Sequence, residues 1–244
     1  MTQKETGRKK QRLILLLLAI GLIFGISFGL RYVFDYYHAN AKAVEIAYKA
    51  SETEDYYLFS QVENNTKAIV FYPGGKVEEI AYAPLCEELS ETGYDVYLLK
   101  LPLRLAVLKP SAADAVLQNH PEVKEWTIMG HSLGGAMAAN YTEKHVDQID
   151  RLVLLGAYSA SDLSSSDLQI ELLYGSNDQV LKRDAFEKNR SNLPEDYTEY
   201  VIEGGNHAYF GNYGEQAGDG KASIQCEEQQ QEVVDQFRQL AGLN

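Results

Sequence analysis

From residue 67 onward the chain alternates short apolar runs with segments of helical spacing, which predicts repeated strand–helix–strand units. The runs are Lys67–Tyr72, Tyr94–Lys100, Glu125–Met129, Arg151–Leu155, Gln169–Tyr174 and Tyr197–Ile202. Helical patterns cover 78–92, Ala112–Gln118, Leu133–His145, 181–190 and about 227–241. Strands that are apolar on both faces belong to a mostly parallel sheet covered by helices on both sides. Such sheets gather their sites at the carboxyl ends of the strands. Residues 43–62 read as an opening antiparallel pair, and the polar run Glu227-Glu228-Gln229-Gln230-Gln231 as a solvated face of the last helix. Only 13 residues separate the strand ending at 155 from the one starting at 169, which leaves no room there for a cap domain.

A different pattern precedes the sheet. Leu13–Leu30 is an apolar run of 18 residues broken only by Gly and Ser and bracketed by Arg12 and Arg31. At about 1.5 Å per residue it nearly covers a ~30 Å hydrocarbon core, so it predicts one transmembrane helix. Five bases and one acid lie ahead of it, which predicts a cytoplasmic tail and an extracytoplasmic body. Tyr32, Phe34, Tyr36 and Tyr37 follow where an interfacial aromatic belt is expected. The competing reading is a signal peptide cleaved at Ala39-Asn40-Ala41 or Ala41-Lys42-Ala43 and a secreted body. The run exceeds the usual apolar stretch of such peptides, and those sites lie nine or more residues beyond its end. The expected division is therefore a basic tail (1–12), a membrane anchor (13–34), a linker (35–44) and one folded domain (45–244).

Dividing the chain changes the picture of its charge. The whole carries −13, but after residue 31 there remain 16 bases and 34 acids, a net charge of −18. Nucleic-acid phosphates and anionic head groups repel so acidic a body, which excludes nucleic-acid binding and adhesion through a basic surface. Cys86 and Cys226 fall in the first and last helices of the sheet domain, which this topology packs on one face. A disulfide is geometrically conceivable there, but two buried thiols acting as small apolar residues are the preferred reading.

The candidate chemistry begins at Gly130-His131-Ser132-Leu133-Gly134-Gly135, which closes a predicted strand and opens a predicted helix. A nucleophilic serine on such a sharp turn needs small neighbours, and the helix N-terminus behind it offers free amides to a developing oxyanion. A serine hydroxyl also needs a base, and the base an acid to fix its tautomer. Of the five histidines, only His207 follows Ser132 in a loop after a late strand. Asp178, in the turn directly after the strand 169–174, is the expected acid, ahead of Asp162 after the preceding strand. Leu133 is the expected source of one oxyanion-hole amide. The other is expected from the glycine-rich loop Pro73-Gly74-Gly75-Lys76, either from Gly75 or from Lys76. The Lys76 side chain reads as solvated, with a cation for an acidic substrate as the less favoured role.

Four blocks together extend the match beyond the elbow: Phe71-Tyr72-Pro73-Gly74-Gly75-Lys76-Val77, the Gly-His-Ser-Leu-Gly-Gly elbow, Gly204-Gly205-Asn206-His207-Ala208-Tyr209-Phe210-Gly211, and Gly218-Asp219-Gly220 before Glu227-Glu228-Gln229-Gln230. In these the chain resembles the bacterial α/β-hydrolase family 5, relatives of dienelactone hydrolase with Ser in place of Cys, over about residues 67–240. The resemblance implies an α/β-hydrolase fold and Ser132, Asp178 and His207 as a triad, and it implies no particular substrate. Cys226 departs from the polar residue expected there. The expected chemistry is hydrolysis of a small or accessible carboxylic ester through an acyl-enzyme, with no cofactor and no metal, the membrane being met through the N-terminal helix. Transfer of the acyl group to an alcohol, or a silent binding module on the same fold, are the alternatives.

Overall fold

The computed structural model describes residues 3–243 and divides into two units, the first reaching Tyr36 and the second spanning Tyr37 to the C-terminus. The first is one helix, α1 (Gln3–Phe34). Within it Leu13–Arg31 is long and apolar enough to cross a membrane, by length and composition, and lies near the N-terminus as a signal sequence also would. Met1 and Thr2 of the basic tail lie outside the described residues.

The second unit is built on one eight-stranded sheet of order β1-β2-β4-β3-β5-β6-β7-β8. The central strands are β3 (Lys67–Tyr72), β4 (Asp95–Leu99), β5 (Glu125–His131), β6 (Arg151–Leu155), β7 (Gln169–Gly175) and β8 (Thr198–Ile202), all mutually parallel. At one edge β1 (Ser51–Glu52) and β2 (Tyr56–Phe59) pair antiparallel, and β2 runs antiparallel to β4. This is the mostly parallel sheet that the alternating pattern predicts, in the α/β-hydrolase arrangement that the resemblance implies.

Successive side chains of a strand point to opposite faces, so each apolar run feeds two cores. Val70, Ile128, Leu154 and Leu172 face α5 (Leu133–Glu143) and α6 (Arg183–Lys188), where they meet Ala138, Ala139 and Phe186. Ile69, Phe71, Met129, Val153 and Leu173 face α3 (Ala83–Ser90) and α7 (Cys226–Leu240), where they meet Leu85, Leu89, Val233 and Phe237. Small residues bring α5 close to the sheet: a Cβ on Gly134 would lie 2.3 Å from the carbonyl oxygens of Tyr72 and Pro73. Any larger residue there must push the helix off the strand ends that carry the site. Cys86 and Cys226 are both free thiols.

Three details depart from the sequence reading. Residues read as linker already belong to the second unit. Tyr37 bridges Val77, and α2 (Ala41–Ala47), capped by Asn40, buries Ala43 and Ile46. The pattern over Ala112–Gln118 yields only the short α4 (Asp114–Leu117). Finally, the Glu-Glu-Gln-Gln-Gln run is not uniformly solvated, because Gln229 and Gln230 are fully buried. Glutamine can be buried when both ends of its amide are bonded to fixed groups. Gln229 meets that condition, accepting from the Asn206 amide (3.0 Å) and donating to the Asn206 carbonyl (2.8 Å). Gln230 is instead held through its nitrogen, which donates to Asn212 Oδ1 (2.8 Å), and its Oε1 has no hydrogen-bond partner among the described residues.

Candidate active site

The site lies at the carboxyl ends of β3, β5, β6, β7 and β8. Ser132 stands between β5 and α5 with φ 53° and ψ −122°, a conformation that costs a non-glycine residue energy and is held only by its surroundings. Those surroundings are the adjacent strand, whose Leu155 carbonyl accepts from the Ser132 amide (2.9 Å), and the glycines that let α5 start against β3. Ser132 and His207 line one cleft of about 300 Å³, together with Leu133, Ala136, Tyr158, Val180, Leu181 and Lys182. That volume is at the small end of ligand pockets, ~300–1,000 Å³.

His207 is 1% exposed, and its Nδ1–H donates to Asp178 Oδ2 at 2.8 Å. The carboxylate fixes the tautomer, so Nε2 carries the lone pair. Among the described residues that atom has no hydrogen-bond partner. Asp178 is itself held by the Val180 and Leu181 amides, which donate to its Oδ1 at 2.9 and 2.8 Å. Asp162, the other acid considered, is exposed and bonded to the amide and hydroxyl of Ser164. Those bonds lower its pKa, and they commit it to its own turn rather than to His207.

The three oxyanion-hole candidates divide. The Lys76 amide donates to the Arg104 carbonyl at 2.9 Å, so the expectation that it could serve gives way to a structural use. Lys76 also takes left-handed backbone, with φ 60°. Gly75 packs directly on Leu133: a Cβ added to it would lie 2.7 Å from Leu133 Cδ2. Neither the Gly75 nor the Leu133 amide donates to another backbone group among the described residues.

Several supporting residues carry no signal in the sequence. Gly156 follows β6 with φ +52°, and a Cβ there would lie 2.9 Å from His207 Nδ1 and 3.2 Å from Asp178 Oδ2. A side chain at that position would wedge into the His–Asp pair. Asp219 accepts from the Ala208 amide (2.9 Å) and the Gln179 amide (3.2 Å), tying the histidine loop to the aspartate loop. Its Gly-Asp-Gly setting is visible in the sequence, its partners are not. Beneath the glycine-rich loop, the Tyr82 hydroxyl accepts from the Gly74 amide (3.1 Å) and donates to His131 Nδ1 (2.7 Å). Burial, reinforced by the neighbouring His207, keeps the His131 pKa well below its usual value, so His131 stays neutral and able to accept. Tyr82→Phe leaves a buried amide and a buried ring nitrogen unpaired. It is expected to lower stability by about 1–3 kcal/mol, read from the denaturant midpoint at unchanged m-value.

Comparison with known proteins is consistent with this architecture. A model of the alpha/beta hydrolase family matches residues 68–232. No curated protein matches the chain. Among solved structures, a CIB-like hydrolase from Thermoplasma acidophilum is 17% identical with a TM-score of 0.58, covering 78% of this chain and 96% of that one. A monoacylglycerol lipase from Paleococcus ferrophilus is 14% identical with a TM-score of 0.60, covering 77% and 100%. A thermophilic esterase from Thermogutta terrifontis is 15% identical with a TM-score of 0.54, covering 77% and 88%. At such identities the likeness is one of fold.

Proposed function

This chain belongs to the alpha/beta hydrolase family, and from that premise we propose that it is a serine hydrolase of small or accessible carboxylic esters. The observation that carries the reading is the buried His207–Asp178 pair, whose Nε2 has no partner among the described residues and whose ring lines the same cleft as Ser132. In this reading His207 Nε2 takes the Ser132 proton while Oγ bonds to the ester carbonyl carbon. The amides of Leu133 and Gly75 hold the oxyanion, and the C–O bond to the alcohol then breaks. The departing alkoxide takes the proton back from His207. Water repeats the sequence on the acyl-enzyme, releasing the acid and restoring Ser132. Asp178 stays ionised throughout and stabilises the imidazolium.

The small cleft, the short 156–168 connection and the esterases and lipase among the structural neighbours support an ester substrate over a large buried one. In the same proposal α1 remains as an uncleaved anchor, residues 1–12 lie in the cytoplasm and the folded unit lies outside. The test is reaction of the folded chain with a fluorophosphonate probe, followed by mapping of the labelled peptide. One label on Ser132 is the expected result. A label on another residue, or none on folded protein, overturns the assignment.

A further inference from the structure

The globular unit begins beside the loop whose Gly75 packs on Leu133, a residue that lines the cleft. The Tyr37 amide donates to the Lys76 carbonyl (2.8 Å) and the Tyr37 carbonyl accepts from the Glu78 amide (2.8 Å), so the first residues of the unit are stitched to the loop that carries Gly75. The apolar span ends at Arg31, six residues earlier. At about 3.3–3.6 Å per extended residue, the chain between them reaches ~20 Å at most. The interfacial layer outside the hydrocarbon is itself on the order of 5–8 Å deep on each side. With α1 spanning the bilayer as proposed above, chain continuity alone keeps Tyr37 within that reach of the end of the apolar span.

A second, independent feature occupies the same edge. Among the described residues of this unit, the exposed large apolar side chains are Tyr48, Val62, Leu103, Val107, Leu108 and Val146. Half of them fall within six positions of the connection after β4, with Leu103 51%, Val107 47% and Leu108 53% exposed. That connection is two short 3-10 turns, Pro102–Arg104 and Ala106–Leu108, pinned from beneath by buried Leu101 and Ala106. Leu103 and Arg104 both take left-handed backbone (φ 51° and 58°), which the surrounding structure must hold in place. It is bonded to the same loop as Tyr37, through the Lys76 amide and the Arg104 carbonyl. An apolar cluster this concentrated marks an interaction surface, and a tether to a membrane span selects the occupant. The acidity of the body excludes attraction to anionic lipid as the cause, so apolar insertion carries the contact.

We propose that Leu103, Val107 and Leu108 dock the cleft mouth onto the bilayer surface, so that the substrate class is esters of membrane-resident amphiphiles whose carbonyl lies at head-group level. This rests on the esterase reading of Ser132 and names the substrates that reading leaves open. A cleft of about 300 Å³ need not enclose an acyl tail that stays in the bilayer.

The test uses the full chain reconstituted in phosphatidylcholine vesicles. Val107→Trp is expected to show Trp emission quenched by brominated phosphatidylcholine, and Val146→Trp, at the opposite end of the sheet, is expected to show none. The variant carrying Leu103→Ser, Val107→Ser and Leu108→Ser is expected to lose roughly tenfold or more of its activity on methylumbelliferyl oleate held in the vesicles. It is expected to keep its activity on soluble methylumbelliferyl acetate, which also reports that it is folded. No quenching in the Val107→Trp protein, or equal loss on both esters, overturns the docking surface. Quenching in Val107→Trp with no hydrolysis of either ester by the wild type would instead overturn the esterase reading and leave the docking surface standing.

Discussion

Ser132→Ala is expected to lower kcat for a soluble ester by on the order of 10⁶, and Asp178→Asn by on the order of 10⁴. The first loss removes the proposed nucleophile and the second alters the hydrogen bond that orients its base. In the proposed reaction no acyl-enzyme forms without Oγ, and what remains is the two amides and the cleft acting on water. Asp178→Asn keeps the shape but reverses the chemistry at Oδ2. If the amide presents N–H to His207, Nδ1 must accept, the proton moves to Nε2, and the atom that should take the serine proton no longer can. The amide also fails to stabilise the imidazolium. At 1.36 kcal/mol per tenfold, 10⁴ is about 5 kcal/mol of transition-state stabilisation, well above an ordinary hydrogen bond. Besides His207, the Asp178 side chain bonds the Val180 and Leu181 amides, which an asparagine carbonyl can still accept, so the fold is expected to survive.

The comparison that decides the matter is Asp162→Asn, expected to leave kcat within about twofold because that side chain serves only Ser164. The measurement is steady-state hydrolysis of methylumbelliferyl acetate by all three variants, with circular dichroism to show that each is folded. A 10⁴-fold loss in Asp162→Asn, with Asp178→Asn active, would exchange their roles. Loss confined to KM in Asp178→Asn would mean that the carboxylate binds substrate rather than orienting the base.

How far the site is legible depends on whether its causes are local. Ser132 is readable because the elbow needs its glycines at fixed offsets, and the reason is visible in the 2.3 Å between a hypothetical Gly134 Cβ and the end of β3. The strands are readable because a two-sided sheet leaves a continuous apolar run. Lys76 is not: its amide is consumed by Arg104, 28 positions away, in a pairing of two loops that no local pattern encodes. The buried glutamines escape for the same reason, since their partners Asn206 and Asn212 lie outside the helix that carries them. Helix α2 reads as strand and linker because seven residues with a few buried apolar positions and one cap give too little periodicity to separate the readings. Gly156 shows the limit most clearly. It follows its strand like any turn glycine, and only the tertiary structure reveals that its missing side chain makes room for the His–Asp pair.

One buried group lies outside the site and should govern stability instead. Glu171 lies on β7 between Val153 of β6 and Thr198 of β8, on the sheet face that also bears Leu173 and packs under α7. It is 3% exposed, and its Oε2 has no hydrogen-bond partner among the described residues. Burial alone pushes its pKa up from 4.5 to about 7, because the ionised form loses hydration and gains nothing in return. A carboxyl with a raised folded-state pKa binds its proton more tightly in the native than in the unfolded chain. Its favourable contribution is therefore full below the unfolded pKa near 4.5 and is lost as pH rises through about 7. The distance from 4.5 to about 7 corresponds to about 3 kcal/mol, a large share of the 5–15 kcal/mol typical of a domain. Glu171→Gln imitates the protonated carboxyl and cannot ionise. It is expected to match the wild type at about pH 4.5 and to be more stable than it by up to about 3 kcal/mol at about pH 8. Denaturant midpoints of both proteins followed across that range, with Trp126 as the fluorescent reporter, measure the difference directly. Parallel pH profiles for the two proteins would show that Glu171 finds hydration or a cation when it ionises, and would remove it as the source of the alkaline loss.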